Sequence, residues 1–348
     1  MSEAFSALAR QHLTRYPAMQ PQDLAKLAYQ AAWGPAHLAD ARDAVLAALR
    51  REWAALPPKT DVPAPEAVGG GLSRLHLDPR WDECALPLVT DLLLRTAAAH
   101  GGTEQDFARR LDAVASLPVE GMAAWLADYR AAGCPAVHHS EAYRAAYQPH
   151  YRLLRADYAG YFPALYAASQ AMQAGKPVLL AVDGRCGSGK TGLALLMQQV
   201  LGAQVVHMDD FFLPPDRRAA DWETQPAGNM DLARLAREVL DPLRAGQAAV
   251  YRPFSCQSGQ LGDQTTLRPA PLTVIEGSYS LHPSLAARYD LGLFLTCPPE
   301  TQADRLRARE GAHFAAFEAR WIPFEERYFA RCGVQEAASL VIDTHGLF

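Results

Sequence analysis

One eight-residue segment constrains the fold of this 348-residue chain more than any other feature. Residues 184–191 read Gly-Arg-Cys-Gly-Ser-Gly-Lys-Thr and match the pattern G-x-x-x-x-G-K-[ST] at every required position. A short apolar run at 177–182 precedes the segment, and a helical pattern at 192–201 follows it. Because the pattern is meaningful only between a strand and a helix, this context predicts a phosphate-binding loop, or P-loop.

The residues of the loop have separate roles in binding a polyphosphate. Its glycines let the backbone curl so that successive N–H groups face the phosphates. Lys190 neutralises phosphate oxygens, and Thr191 is the expected protein ligand of Mg²⁺. We therefore expect ATP and Mg²⁺ to bind here. The residues assigned to this binding are Gly184, Gly187, Ser188, Gly189, Lys190 and Thr191.

The chain changes pattern near residue 176. Downstream, apolar runs alternate with helical segments, at 177–182, 204–207, 272–275, 291–296 and 339–342. Such runs are typical of a parallel sheet covered on both faces. Upstream, helical spacing predominates at 4–55, 86–100, 104–115, 119–132 and 140–172, with a loop expected at 56–71. The expected fold class is α/β, a parallel-sheet P-loop NTPase domain preceded by a mostly α-helical domain. The expected limits are 1–155 for the helical domain of unknown role, 156–175 for a helical connector and 176–348 for the P-loop domain.

Acidic residues follow two of the expected strands. Asp209 and Asp210 come after the second strand, and Glu276 comes after the third. Ligands of open parallel sheets bind along the edge formed by the carboxyl ends of the strands. We expect Asp209 to engage an acceptor hydroxyl and Glu276 to support Mg²⁺ with Thr191, Asp209 being a further candidate for the metal. The alternative for each carboxylate is a capping or solvent-facing role, which their position beside the P-loop disfavours.

A basic segment at 305–320 follows the fourth expected strand. Arginines at helical spacing commonly form a solvated face. In a phosphotransferase, an arginine-bearing lid neutralises charge on the transferred group, so Arg305 and Arg309 are the candidates for that role.

Together these residues resemble the uridine kinase, phosphoribulokinase and nicotinamide riboside kinase group of P-loop kinases, from about residue 176 to the C-terminus. The resemblance implies that Asp209 in MDDFF acts on the acceptor hydroxyl and that Arg305 and Arg309 belong to the lid. It departs at 250–256, where Tyr251 stands without the histidine that helps uridine and cytidine kinases recognise their substrate. The acceptor-site residues expected from the resemblance are Asp209, Asp210, Tyr251 and Arg252.

The expected function is transfer of the ATP γ-phosphate to a hydroxyl of a nucleoside or nucleoside-like acceptor. The residues assigned to catalysis are Asp209, Lys190, Arg305 and Arg309. A P-loop ATPase, or a nucleotide-regulated binding module whose helical domain recognises a partner, is the alternative. GTP is disfavoured because the only K-x-D sequence, at 59–61, lies far upstream of the P-loop.

Composition narrows the choice of partners. A net charge of −5 without a long Lys/Arg block disfavours nucleic acid, and no apolar run approaches the ~20 residues of a membrane span. The six cysteines are scattered without a C-x-x-C pair, as expected in a reducing cytoplasm. The expected partner is thus a small-molecule acceptor, and a homo-oligomer is compatible with the sequence.

The N-terminal half carries clusters of polar and aromatic residues at 33–37, 71–76 and 135–141. Histidine and arginine in loops after helices could form a second site that acts as acid, base or anion clamp. Capping, turn formation and core packing are the favoured interpretation of these clusters, because no metal-ligand spacing is present.

Overall fold

A computed structural model describes residues 2–58 and 61–348. The chain divides into two compact units, Met1–Gly160 with Leu347–Phe348, and Tyr161–Gly346. We refer to them as unit 1 and unit 2. The expected domain limits near 155 and 176 stay a prediction. Lys59 and Thr60 of the K-x-D sequence lie outside the described residues. Within the described ranges, no helix is both long and apolar enough to cross a membrane.

Unit 1 is mostly helical. Its elements are α1 Ser2–Arg15, α2 Pro21–Trp33, α3 Arg42–Ala54, β1 Glu66–Gly69, β2 Leu72–His76, α4 Ala85–Ala99, α5 Glu104–Ala115, α6 Met122–Ala131, α7 Glu141–Tyr147 and β3 Tyr151–Arg155. Helix α8, Ala156–Met172, follows at once and contains the division between the units. The core of unit 1 is built on the apolar face of α2, where Leu24, Leu27 and Ala28 are fully buried.

A three-stranded antiparallel sheet in unit 1, ordered β1–β2–β3, corrects two sequence-based expectations. Residues 56–71 are not all loop, since β1 occupies their end, and 140–172 is not one helical run, since β3 interrupts it. The left-handed backbone of Gln148, with φ 44°, ends α7 before Pro149. Strands this short carry little periodic signal, so their pairing with β2 decides the structure.

Unit 2 contains a five-stranded parallel sheet, which confirms the expected fold class. Its elements are β4 Val178–Gly184, α9 Lys190–Leu201, β5 Gln204–His207, α10 Leu232–Leu235, α11 Asp241–Arg244, β6 Ala249–Tyr251, β7 Phe254–Ser255, β8 Gln260–Leu261, β9 Thr265–Leu267, β10 Leu272–Glu276, α12 Pro283–Ala286, β11 Leu291–Thr296, α13 Pro299–Glu310, α14 Phe314–Ala316, α15 Ile322–Cys332, α16 Val334–Ala337 and β12 Leu340–Asp343. A π-helical turn, Ala236–Leu240, joins α10 to α11.

The order of this sheet is β12–β11–β4–β10–β5, with every pair parallel. Strand β4 therefore lies at the centre, and all its residues are buried. Its register places Val182 beside Glu276 of β10, and Glu276 in turn beside His207 of β5. Because parallel strands share one carboxyl edge, this register brings the P-loop and the acidic residues after β5 and β10 to the same edge.

Candidate nucleotide and acceptor site

The P-loop connects the central strand to α9. Three glycines have backbone angles in the left-handed region: φ is 137° at Gly184, 75° at Gly187 and 94° at Gly189. A Cβ on Gly184 would lie 2.0 Å from the carbonyl oxygen of Leu295, so no other residue fits there without displacing the neighbouring strand β11. The loop is thus fixed by sterics at the position where β4 ends.

Several donors of the loop have no partner in the described chain. The backbone N–H groups of Gly187 and Gly189 donate no hydrogen bond. The Ser188 hydroxyl is buried and also has no hydrogen-bond partner. Gly189 is the N-cap residue of α9 and has no side chain to cap it, so the positive end of this twelve-residue helix is open. Unsatisfied donors at a helix N-terminus are what an anion-binding loop requires, and these residues fit a bound polyphosphate.

Lys190 lies over this loop. Its ammonium group donates to the carbonyl oxygens of Gly184 at 2.7 Å and Arg185 at 3.0 Å. No described carboxylate forms an ion pair with it. The charge of Lys190 is therefore held at the loop and is not neutralised by an acidic side chain within hydrogen-bond distance.

Thr191 and Glu276 are close enough to share a ligand. The Thr191 hydroxyl lies 3.4 Å from both carboxylate oxygens of Glu276. Glu276 is buried, and one of its oxygens also lies 2.6 Å from Nδ1 of His207. This hydrogen bond raises the pKa of His207. An alcohol and a carboxylate oxygen at this spacing are chemically suited to Mg²⁺, which takes one or two protein oxygens beside phosphate and water.

Asp209 and Asp210 lie in a 3-10 turn, Met208–Phe211, that directly follows β5. Desolvation by the surrounding protein raises the pKa of Asp209, and the negative charge of Glu276 adds to the effect, although the Asp209 side chain still reaches solvent. The positive charge of Lys190 acts in the opposite direction. Asp209 thus lies in the electrostatic field of both Glu276 and the P-loop lysine.

The acceptor-site residues expected from the resemblance are only partly brought together. Tyr251 donates its hydroxyl to Asp210 at 3.2 Å and stacks on Phe211, with 5.2 Å between ring centroids. Arg252 instead donates to the carbonyl oxygens of Leu261 and Gly262, in and beside strand β8. Tyr251 therefore lies with the two aspartates, whereas Arg252 is engaged by a neighbouring loop.

The two lid candidates on α13 differ in their surroundings. The Arg305 guanidinium donates to the Gly187 carbonyl oxygen at 3.2 Å and to the carbonyl oxygen of Thr344 at 2.6 Å. Arg309 forms an ion pair with Glu310 at 2.6 Å, and more than half of its side chain is exposed. Arg305 thus contacts the P-loop directly, whereas the structure does not bring Arg309 to it.

Two carboxylates that the sequence analysis did not single out support the loop. Asp183, fully buried before Gly184, accepts hydrogen bonds from four donors: the amides of Gly184, Tyr279 and Leu281 and the hydroxyl of Tyr328. Burial raises the pKa of Asp183 to about 6. It was detectable as an acidic residue that directly follows the apolar run at 177–182.

The second carboxylate, Glu325 on α15, left no comparable signal in the sequence. It is buried and accepts hydrogen bonds from the backbone amide of Cys186, at 2.9 Å, and from the hydroxyl of Ser278. The neighbouring Glu326 forms an ion pair with Arg185 of the loop at 2.6 Å. These contacts join the P-loop to a helix about 140 residues away in sequence.

Comparisons with known proteins found matches among solved structures only. No family model matches the chain, and no curated protein matches it. Among solved structures, a possible uridine kinase from Bacillus stearothermophilus is 19% identical, with 51% of this chain and 97% of that chain covered and a TM-score of 0.40. A shikimate kinase from Bacteroides thetaiotaomicron is 16% identical, with 49% and 88% covered and a TM-score of 0.29. At such identities and scores, function must be inferred from the side chains of the site itself.

Proposed function

We propose that unit 2 is an ATP-dependent kinase that phosphorylates a hydroxyl group of a nucleoside or nucleoside-like small molecule. The observation that carries the proposal is the position of Asp209 at the carboxyl end of β5, within the field of Lys190 and Glu276. A P-loop alone serves many reactions. A carboxylate beside the lysine that holds the phosphates gives an acceptor hydroxyl a base close to the transferred group.

Each site residue then has a distinct task. The free amides of Gly187 and Gly189 and the ammonium group of Lys190 bind the phosphates of ATP. Thr191 and Glu276 would hold Mg²⁺, which when bound neutralises charge on the β- and γ-phosphate oxygens. The buried Ser188 hydroxyl supplies one more donor under the phosphates.

Transfer itself is a direct displacement. Asp209 accepts the proton of the acceptor hydroxyl as its oxygen forms the new bond to the γ-phosphorus, and ADP leaves with the bridging oxygen. The partial desolvation that raises the pKa of Asp209 makes it a stronger base than an ordinary aspartate. Asp210 and Tyr251 contribute polar groups to the acceptor side, and Arg305 and Arg309 are the arginines that would neutralise charge on the transferred group.

Asp209→Asn tests this assignment. We expect kcat to fall by about 10²–10⁴-fold, because the base is lost, while the affinity for ATP changes little. Asp216→Asn is the matched control, since Asp216 is an exposed carboxylate seven residues further along the chain. The assay is ADP release in the presence of nucleosides, ribosides and sugars, with the phosphomonoester product identified by ³¹P NMR.

Two results would contradict the proposal. Equal turnover of Asp209→Asn and Asp216→Asn would remove Asp209 from the role of base. Slow ATP hydrolysis that no acceptor accelerates would instead support a P-loop ATPase or a nucleotide-regulated binding module.

A further inference from the structure

Unit 1 contains a cavity of about 550 Å³ that the proposed kinase reaction does not use. This volume lies within the range of small-molecule sites. Residues from α2, α3 and α7, from the loop before α7 and from the start of β3 line it. Five of its nine lining residues are basic: Lys26, His138, His139, Arg144 and His150.

The one acidic lining residue pairs with only one of these five basic residues. Glu52 already accepts hydrogen bonds from Arg152 at 2.6 Å and from His150 at 2.9 Å. The side chains of Arg144 and His138 form no hydrogen bond or ion pair with any residue in the described parts of the chain. The cavity therefore has cationic groups in excess over the anionic groups available to pair with them.

Lys26 is the most constrained of these cations. It donates to the backbone carbonyl oxygen of Val137 at 3.0 Å and has no carboxylate within hydrogen-bond distance. Burial and the positive charges of Arg74 and Arg144 together lower the pKa of Lys26 to about 8, against the opposing effect of Asp23. A bound anion would offset this repulsion, which makes the position favourable for a negatively charged ligand.

A buried hydrogen-bond chain fixes the wall of the cavity next to Lys26. Asp23 can only accept, so Nδ1 of His139 donates to it at 2.8 Å, and Nε2 must accept from the Tyr151 hydroxyl at 2.7 Å. Gln30 donates to the same hydroxyl oxygen at 3.0 Å. Burial lowers the pKa of His139 to about 4, so its ring is neutral at pH 7. The Tyr151 side chain is thereby held in one orientation at the cavity.

We propose that this cavity is a second ligand site, which binds a small molecule carrying a phosphate group. Lys26 and Arg144 are the charged contacts, and His138 provides a further polar group. Two cationic side chains with an adjacent imidazole match a dianion better than a monoanion, which favours a phosphomonoester over a carboxylate. The inference does not depend on the proposed kinase activity, because every residue named here belongs to unit 1.

The shortage of lysines allows a site-specific test in the full-length protein. The chain has four lysines, at 26, 59, 176 and 190. Biosynthetic ¹³C labelling of lysine gives four side-chain NMR signals, and Lys26→Arg and Lys190→Arg assign the two that matter. The probes are glycerol 3-phosphate, inorganic phosphate and uncharged glycerol. Binding to the P-loop shifts the Lys190 signal, so the same spectrum separates it from binding at the cavity.

We expect the Lys26 signal to shift saturably with glycerol 3-phosphate but not with glycerol. Arg144→Gln should weaken this binding about tenfold, because a charged phosphate contact is lost. Arg144 is exposed, so the substitution should leave the fold intact, and Arg10→Gln is the control at an exposed arginine outside the cavity. If inorganic phosphate binds with the same affinity as glycerol 3-phosphate, the result would support the site and show that the phosphate group alone is sufficient for binding. A Lys26 signal that no probe shifts, or equal weakening by both arginine variants, would overturn the inference.

Discussion

Glu325 offers the sharpest test of how the P-loop is held. It is buried on α15, and it accepts hydrogen bonds from the amide of Cys186 and the hydroxyl of Ser278. The adjacent Glu326 also contacts the loop, through Arg185, but 43% of its side chain is exposed. The chain thus provides two neighbouring glutamates that bind the same loop, one buried and one at the surface.

The two residues should contribute very differently to stability. A hydrogen bond to a charged acceptor contributes about 1.5–3 kcal/mol, and the buried Glu325 accepts two hydrogen bonds. Allowing for partial relaxation, Glu325→Ala should destabilise the observed conformation of the loop by about 3 kcal/mol. A surface ion pair contributes about 0–1 kcal/mol, so Glu326→Ala should cost about 0.5 kcal/mol.

Hydrogen–deuterium exchange of the peptide that covers the P-loop measures both losses directly. A change of about 3 kcal/mol corresponds to roughly 100-fold faster exchange at the Cys186 amide, while Glu326→Ala should alter the rate only about twofold. ATP affinity should fall with Glu325→Ala, because part of the binding energy is spent on ordering the loop. If both variants exchange at the same rate, or if Glu325→Ala binds ATP as the unaltered protein does, the supporting role of Glu325 is wrong.

Two further predictions concern the P-loop backbone and the buried histidine of unit 1. Gly184→Ala should abolish ATP binding measured by calorimetry, because its Cβ would lie 2.0 Å from the Leu295 carbonyl oxygen. The control is Gly202→Ala, whose Cβ would have no atom within 4 Å and which should still bind ATP. ATP binding by Gly184→Ala would contradict this prediction. Burial lowers the pKa of His139 from 6.5 to about 4, so its contribution to stability is complete above pH 6.5 and is lost as pH falls towards 4. Urea unfolding between pH 7 and 4 should show that the free energy of unfolding of the unaltered protein falls by about 3 kcal/mol, and His139→Gln should reduce this loss. Identical pH profiles for the unaltered protein and His139→Gln would exclude His139 as the cause.

The parallel sheet could be predicted from the sequence because its signal is local. The expected runs at 204–207 and 291–296 coincide with β5 and β11, and the other three differ from the observed strands by one or two residues at one or both ends. Strands buried on both faces are uninterrupted apolar runs, so each is visible without knowledge of its neighbours. The P-loop pattern then locates the site, because it must lie at the carboxyl edge of the central strand.

The sheet of unit 1 and the role of Glu325 could not be predicted, because each depends on a distant partner. The buried Arg74 of β2 is stabilised by Glu66 and by Gln30 of α2, and no local pattern distinguishes it from an arginine in a surface loop. Glu325 lies in a helix whose other charged residues are ordinary surface groups. In both cases a charged residue is buried because its partner comes from elsewhere in the sequence.

The hydrogen bonds of the loop divide its donors into two sets with different purposes. The amides of Gly184 and Cys186 donate to Asp183 and Glu325, whereas those of Gly187 and Gly189 donate to no group in the described chain. A carboxylate that accepts a hydrogen bond from a backbone amide fixes the position of that peptide. The same amide is then no longer available to donate to a ligand. The amides that hold the loop in shape are therefore different from those left open for the proposed phosphates. Loss of Glu325 should weaken nucleotide binding by releasing the loop, without removing a single contact to the nucleotide.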